Sequence, residues 1–285
     1  MITYRIQVLA ILALVATLAC GQEIPIASAI PFLGLESLAA QMKMDVFAVE
    51  VQGNQANTDT TDDWISKGTG FFVSGYKDNL SLTNLNCITC YHVVKAAQDS
   101  GKPLFIGVED TNQYHRVPGR VIYSDLANDI AVLRITFVPA DAKKIISHAF
   151  LRGEIAQTNN LTEGVGLVIP GYPLGIGTEQ NKNHPIVRIG IVAQSPHDGR
   201  FLIDGIASHG NSGSPVARVK GGRGQLVGMV SAHLADKISL FDERGQLAAQ
   251  LPYNSGLAQA VSSTIIQQTL NKLDSIDNPE KANIK

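Results

Sequence analysis

Apolar positions in this chain fall in short runs separated by turns rich in Gly, Asn, Asp and Ser. Runs of that length, enriched in β-branched and aromatic residues, predict strands. Strands are expected at residues 46–51, 71–73, 80–83, 87–89, 104–108, 116–123 and 130–135. After an irregular stretch they resume at 165–169, 186–194, 201–204, 216–219, 225–231 and 257–261. Helical spacing appears at 35–42, for a turn or two from His92, and in the tail, where Ile265, Ile266, Leu270 and Leu273 form one stripe. Many short strands on both sides of one irregular segment indicate an all-β chain of two antiparallel barrels or sandwiches, followed by a C-terminal α-helix. The organisation read from this pattern is a leader at 1–21, an N-terminal extension at 22–43 and a first β unit at 44–138. A linker follows at 139–160, then a second β unit at 161–261 and a helix and tail at 262–285.

The leader differs in kind from the rest. One positive charge within the first five residues precedes an apolar run over 6–19, and small residues follow at Ala19, Cys20 and Gly21. That is the form of a secretory signal, and the run is shorter than the ~20 residues a spanning helix needs. Export to the periplasm or the extracellular space is therefore expected. Thr17-Leu18-Ala19-Cys20 also resembles a bacterial lipobox with Thr in place of the usual Leu. The alternatives are membrane attachment through a lipidated Cys20 and plain cleavage with a soluble product; the second is the reading taken.

Composition narrows the function classes. A net charge of -2 supplies no field that would gather nucleic acid or an anionic membrane, so no nucleic-acid partner is expected. Two cysteines remain beyond the leader, Cys87 and Cys90, and an exported pair is read as structural, either bridged or free. His92 lies close to them, but zinc takes about four ligands and no second Cys or His pair stands out, so neither metal nor cofactor is expected. His115, His148, His184 and His197 read as surface residues.

Candidate chemistry centres on Gly210-Asn211-Ser212-Gly213-Ser214-Pro215. Alone, this stretch is equally a polar turn between two strands. Two others change its weight. Ile88-Thr89-Cys90-Tyr91-His92 ends a strand on a histidine, and Asn128-Asp129-Ile130-Ala131-Val132-Leu133 opens one with an aspartate. A serine hydroxyl needs a base to take its proton, and the base needs an acid to fix its tautomer and stabilise its charged form. His92, Asp129 and Ser212 could fill those roles, while the glycines let the Gly210 and Ser212 amides turn towards a developing oxyanion. The order Ser, acid, His and the Gly-x-Ser-x-Gly elbow of α/β-hydrolases are both missing.

Those three blocks resemble the signature segments of chymotrypsin-fold serine peptidases, particularly the bacterial HtrA-type and glutamyl-endopeptidase-type members. Gly68-Thr69-Gly70-Phe71-Phe72-Val73, Gly171-Tyr172-Pro173-Leu174-Gly175 and Gly228-Met229-Val230-Ser231-Ala232 add to the likeness. The resemblance implies two six-stranded β-barrels. It implies Ser212 as nucleophile, His92 as base and acid, Asp129 as orienting carboxylate, and the Gly210 and Ser212 amides as oxyanion hole. It also implies that Ser231 supports the aspartate and lines a substrate pocket with Ala232, that Ile206 lies towards the pocket base, and that His209 and His233 lie near its rim. A protein or peptide substrate follows, with a small or aliphatic side chain before the scissile bond, or an acidic one received by His209 or His233. Asn211 replaces the aspartate that pairs with a freed N-terminus in digestive members, so that activation route is not expected. Only a helix and a polar tail follow Val261, so no C-terminal peptide-binding module is expected either. The competing function is a catalytically silent peptide-binding protein on the same fold.

Overall fold

The alternation of apolar and polar residues places one face of each strand in a core, and the strands close on themselves twice. In the computed structural model residues 34–43, 45–52, 64–74, 85–109, 114–135, 149–157, 160–176 and 184–277 are described. The leader with Cys20, the expected strand at 80–83, His148 and most of the expected linker lie outside them.

The first ring contains β1 (Val46–Gln52), β2 (Trp64–Ser74), β3 (Leu85–Cys90), β4 (Leu104–Glu109), β5 (Tyr114–Asp125) and β6 (Ile130–Ile135). Their order is β1-β4-β5-β6-β3-β2, and β2 pairs back onto β1, with Val46 opposite Phe71, to close the ring. All these pairings are antiparallel. Phe47, Phe71, Ile88, Ile106, Ile130 and Leu133 fill its interior. Gly70 is required there, because a Cβ would collide with the Phe47 ring.

The second ring is a closed six-stranded barrel of β8 (Gly166–Gly171), β9 (Ile186–His197), β10 (Arg200–Asp204), β11 (Pro215–Lys220), β12 (Arg223–Phe241) and β13 (Leu247–Ser262). Leu167, Val192, Phe201, Ile203, Val216, Val227 and Val230 pack inside it. The all-β, double-barrel expectation holds, and the fold is chymotrypsin-like.

Three elements tie the rings together. Helix α1 (Leu35–Met42) buries Leu35, Leu38 and Met42, and Gly224 of β12 makes room for Leu38. Between the rings, where sequence suggests an irregular linker, the short strand β7 (Phe150–Leu151) pairs parallel with the end of β2, and Ile155 bridges to Leu226 of β12. Helix α3 (Ser263–Asp277) leaves β13 and seats Ile266 and Leu270 in the larger core. Its outer face carries Asp274, paired with Arg152 at 2.6 Å, and Asp277, paired with Arg134 of β6 at 3.0 Å. Among the described residues no helix is long and apolar enough to cross a membrane.

Sequence reading missed one large feature. β12 and β13 extend about ten residues beyond the expected segments, forming a two-stranded ribbon from Ala235 opposite Asn254 to Phe241 opposite Leu247. Asp242 closes its tip by accepting from the Arg244 and Gln246 amides at 2.9 and 2.8 Å.

Candidate active site

The first barrel supplies a side-chain pair. β3 runs buried up to Cys90 and turns directly into helix α2 (Tyr91–Ser100), so His92 stands in its first turn. The first amides of a helix have no internal partners, and here Asp129 supplies two. Its carbonyl accepts from the Tyr91 amide at 3.1 Å, and its Oδ1 accepts from the His92 amide at 3.0 Å. The other carboxylate oxygen meets His92 Nδ1 at 2.8 Å. To aim its carboxylate this way Asp129 adopts φ 58°, left-handed backbone that Asp tolerates better than most residues. The preceding turn is braced by Asp125, which accepts from the Asn128 backbone amide at 3.2 Å and from its side chain at 2.9 Å. Because the α2 N-terminus carries partial positive charge, the carboxylate sits where the helix favours it.

The second barrel supplies a backbone shape. Between β10 and β11 the chain makes two left-handed turns, at Gly210 (φ 90°) and Gly213 (φ 88°). A Cβ at Gly210 would collide with the Tyr172 carbonyl, and one at Gly213 with the Thr69 carbonyl and the Thr89 hydroxyl. Asn211 is buried and its Oδ1 accepts from the Ser208 amide at 3.1 Å, fixing the loop from within. The amides of Asn211, Gly213 and Ser214 donate to Ser208, Val230 and Asn211 carbonyls at 3.0, 2.8 and 2.9 Å. The Gly210 and Ser212 amides have no such acceptor among the described residues. Two unspent donors thus flank Asn211, on the loop that carries Ser212.

Thr69, on β2 of the first barrel, joins the two halves. Its amide donates to the Ser212 carbonyl at 2.9 Å, and its hydroxyl donates to the Gly210 carbonyl at 2.7 Å and accepts from the Tyr172 amide at 3.0 Å. The Thr89 hydroxyl donates to the Thr69 carbonyl at 2.6 Å. Beside it, Gly68 keeps the barrels in register, because a Cβ there would lie 2.7 Å from Val93 and 2.9 Å from the Ser212 carbonyl. Val93 follows His92, so the histidine helix and the serine loop meet across one glycine. Gly171 plays the same part opposite Ser214, Thr69 and Asn211. In the sequence, the Gly68-Thr69-Gly70 block was the signal for this joint.

The remaining site residues divide. His209 and His233 come together, their rings 5.5 Å apart and edge to face. Ala232 is exposed on β12 beside them. The Ile206 side chain, in the loop after β10, is 60% exposed. Behind it Arg188 of β9, which sequence reading passed over, donates to the Ile206 carbonyl at 3.0 Å and to Ser208 Oγ at 3.3 Å. Ser231 departs from the role the resemblance implied. Its hydroxyl accepts from Arg200 at 3.3 Å and donates to the Gln259 carbonyl at 3.4 Å.

Cys90 takes the place beside the aspartate instead, with its sulfur, a His92 ring nitrogen and an Asp129 oxygen all within 4.8 Å of one another. The thiol donates to the Val230 carbonyl at 3.2 Å, the same carbonyl that holds the Gly213 amide. Burial, and then the Asp129 carboxylate, hold this thiol well above its ordinary range, so it stays protonated. His92 Nδ1 is already committed to Asp129. Cys87 is also buried, and both cysteines are free. Three positions apart on one strand, they face opposite sides and have no route to a bridge.

A double β-barrel with a bonded His–Asp pair from one ring and a glycine-shaped serine loop from the other defines the class of trypsin-like peptidase domains. The family model for the trypsin-like peptidase domain matches residues 68–229, more than half of the chain, and the chain belongs to that family. Curated relatives in Brucella suis and Brucella abortus, each described as a probable periplasmic serine endoprotease DegP-like, are 23% identical over 209 residues. The match takes in 73% of this chain and 33% of theirs, so the chain spans about a third of the length of the curated relatives it matches. A similar solved structure is the MamO protease domain from Magnetospirillum magneticum. It has a TM-score of 0.49 and 16% identity, and the match covers 80% of this chain and 96% of that one.

Proposed function

We propose that the protein is an exported serine endopeptidase that hydrolyses peptide bonds through an acyl-enzyme, with Ser212 as nucleophile, His92 as base and acid, and Asp129 as orienting carboxylate. The observation that carries this reading is the His92 Nδ1–Asp129 bond of 2.8 Å, made beside a loop whose Gly210 and Ser212 amides are unspent. Export is supported by the basic and apolar leader and by the periplasmic description of the relatives.

In this mechanism Ser212 Oγ attacks the peptide carbonyl carbon while His92 Nε2 takes the hydroxyl proton. Asp129 stabilises the imidazolium through Nδ1. The carbonyl oxygen becomes an oxyanion and accepts from the Gly210 and Ser212 amides. Collapse breaks the C–N bond, and His92 returns the proton to the departing amine. Water then repeats the sequence on the ester, releasing the acid and restoring Ser212.

A fluorophosphonate probe is expected to label the folded protein, and Ser212→Ala to abolish labelling. An unlabelled, folded wild type that still bound peptides would replace this reading with the silent binding protein. For side-chain preference, the His209–His233 pair and Arg188 behind Ile206 support an acidic residue before the scissile bond over a small or aliphatic one. Cleavage of a peptide library without enrichment of Asp or Glu there would reverse that choice.

A further inference from the structure

The ribbon beyond the second barrel is not needed to close the fold. Among the described residues its two strands from Ala235 to Phe241 and from Leu247 to Asn254 pair only with each other. Cross-strand partners share a face, and residues two apart along a strand return to it. Asp236 with Tyr253, Ile238 with Leu251, and Leu240 with Ala249 therefore lie on one face, a placement fixed by the Tyr253 hydroxyl donating to Asp236 at 2.7 Å. Lys237 with Pro252 and Ser239 with Gln250 lie on the other. Apart from Asp236 the first face is apolar, and Ile238 and Leu251 on it are 50% and 52% exposed, with nothing of this chain described against them; at the tip, past a register shift, Phe241 and Leu247 are exposed as well.

The edge of β12 shows what could cover that face. β11 pairs with β12 only as far as Pro215 opposite Met229, and the serine loop then takes over through the Ser214–Val230 and Gly213–Val230 bonds. From Ser231 onward that edge has no neighbour among the described residues. It begins one residue past the bonds that hold the Ser212 loop and continues to Phe241, about 35 Å of strand. An unpaired edge of this kind recruits an extended chain through its backbone groups, while an adjoining apolar face takes alternate side chains.

We propose that the ribbon edge of β12 from Ala235 to Phe241, with the face formed by Ile238, Leu240, Leu251 and Tyr253, is a docking strip for an extended polypeptide. The bound segment is continuous with the stretch held at Ser212. This rests on the cleft reading above for where the chain begins, and on the ribbon alone for where it runs.

The test is made in a Ser212→Ala background, where binding is read without turnover. The probes are carboxymethylated, permanently unfolded α-lactalbumin and its tryptic fragments of about six residues, labelled with fluorescein and followed by anisotropy. The unfolded chain is expected to bind at least tenfold more tightly than the fragments. Ile238→Lys with Leu251→Lys, and separately replacement of residues 236–253 by a short Gly-Asn turn, are expected to remove that gap while leaving fragment binding within twofold. Equal binding of chain and fragments, or a gap that survives in both variants, would overturn the proposal. So would a concentration-dependent dimer, seen by light scattering, that dissociates in the variants, because a second copy would then own the face. Loss of fluorophosphonate labelling in the wild type would strike the catalytic reading alone.

Discussion

The two barrels have the same ring of six strands but build their halves of the candidate site by different physical means. The first uses side chains: a carboxylate held by one left-handed residue bonds an imidazole and the helix amide beneath it. The second uses backbone: two left-handed glycines fold a loop whose important groups are amides. Chemistry in the first half is therefore separable from folding, because an isosteric side chain can keep the shape and remove the function. In the second half shape and function coincide, since whatever moves the amides also disturbs the packing between barrels.

The largest test of that contrast is Asp129→Asn. The amide can keep one helix-capping bond but favours the wrong tautomer of His92, so kcat is expected to fall about 10⁴-fold with an unfolding midpoint close to wild type. A matching fall in stability would show that the first half is as structural as the second. Next is Gly213→Ala, where left-handed backbone and the Thr69 carbonyl both oppose a Cβ. It is expected to cost about 2–4 kcal/mol in urea unfolding and to remove fluorophosphonate labelling together with stability. Normal stability with lost labelling would separate shape from function there too.

A third experiment uses pH to address the first barrel alone. Asp45, at the start of β1, is buried with an unpartnered Oδ1, and burial, followed by the nearby Glu154, raises its pKa from 3.8 to about 8. In the unfolded chain it ionises near pH 4, so the folded state holds the extra proton between the two values. Its contribution is present below pH 4 and is lost as pH rises through 8. Asp45→Asn is expected to be more stable than wild type at pH 8.5 and to differ little at pH 4.5, by denaturant midpoint. Parallel curves across that range would remove Asp45 as the source.

The smallest effect concerns the support of Asp129. Cys90→Ala is expected to lower kcat a few-fold with KM unchanged, because the thiol lies within 4.8 Å of the carboxylate and donates to the Val230 carbonyl. Ser231→Ala should leave kcat within twofold. The reverse ranking would return the supporting role to Ser231.

Much of this arrangement is legible in the chain. Alternation gives most strands to within a few residues, and the leucine and isoleucine stripe gives α3. His92 and Asp129 stand out because each borders an apolar run, where a strand hands a side chain to a loop, and Ser212 because glycines flank it in a polar stretch between two such runs. The ribbon carries its own signal, Lys237-Ile238-Ser239-Leu240 before Asp242 and Gly245, but Pro252 and the alanines around Gln250 weaken the strand pattern on its return. The side-chain partners of Ser231 are hidden for a different reason. Sequence assigns a residue to a strand or loop, whereas its direction depends on bulges, and β12 shifts register between Val230 and Ala232.

What the sequence alone determined is therefore the class of fold, the strand periods and the residue types able to do acyl-transfer chemistry, because these follow from local pattern and intrinsic reactivity. Tertiary structure decided which groups meet. Thr69 joins the Ser212 loop across 143 positions of chain, from 69 to 212. Cys90 rather than Ser231 stands against Asp129, and β12 runs past its barrel partner to leave an open edge. Such outcomes depend on register, close approach and the exclusion of a Cβ, none of which a linear pattern encodes.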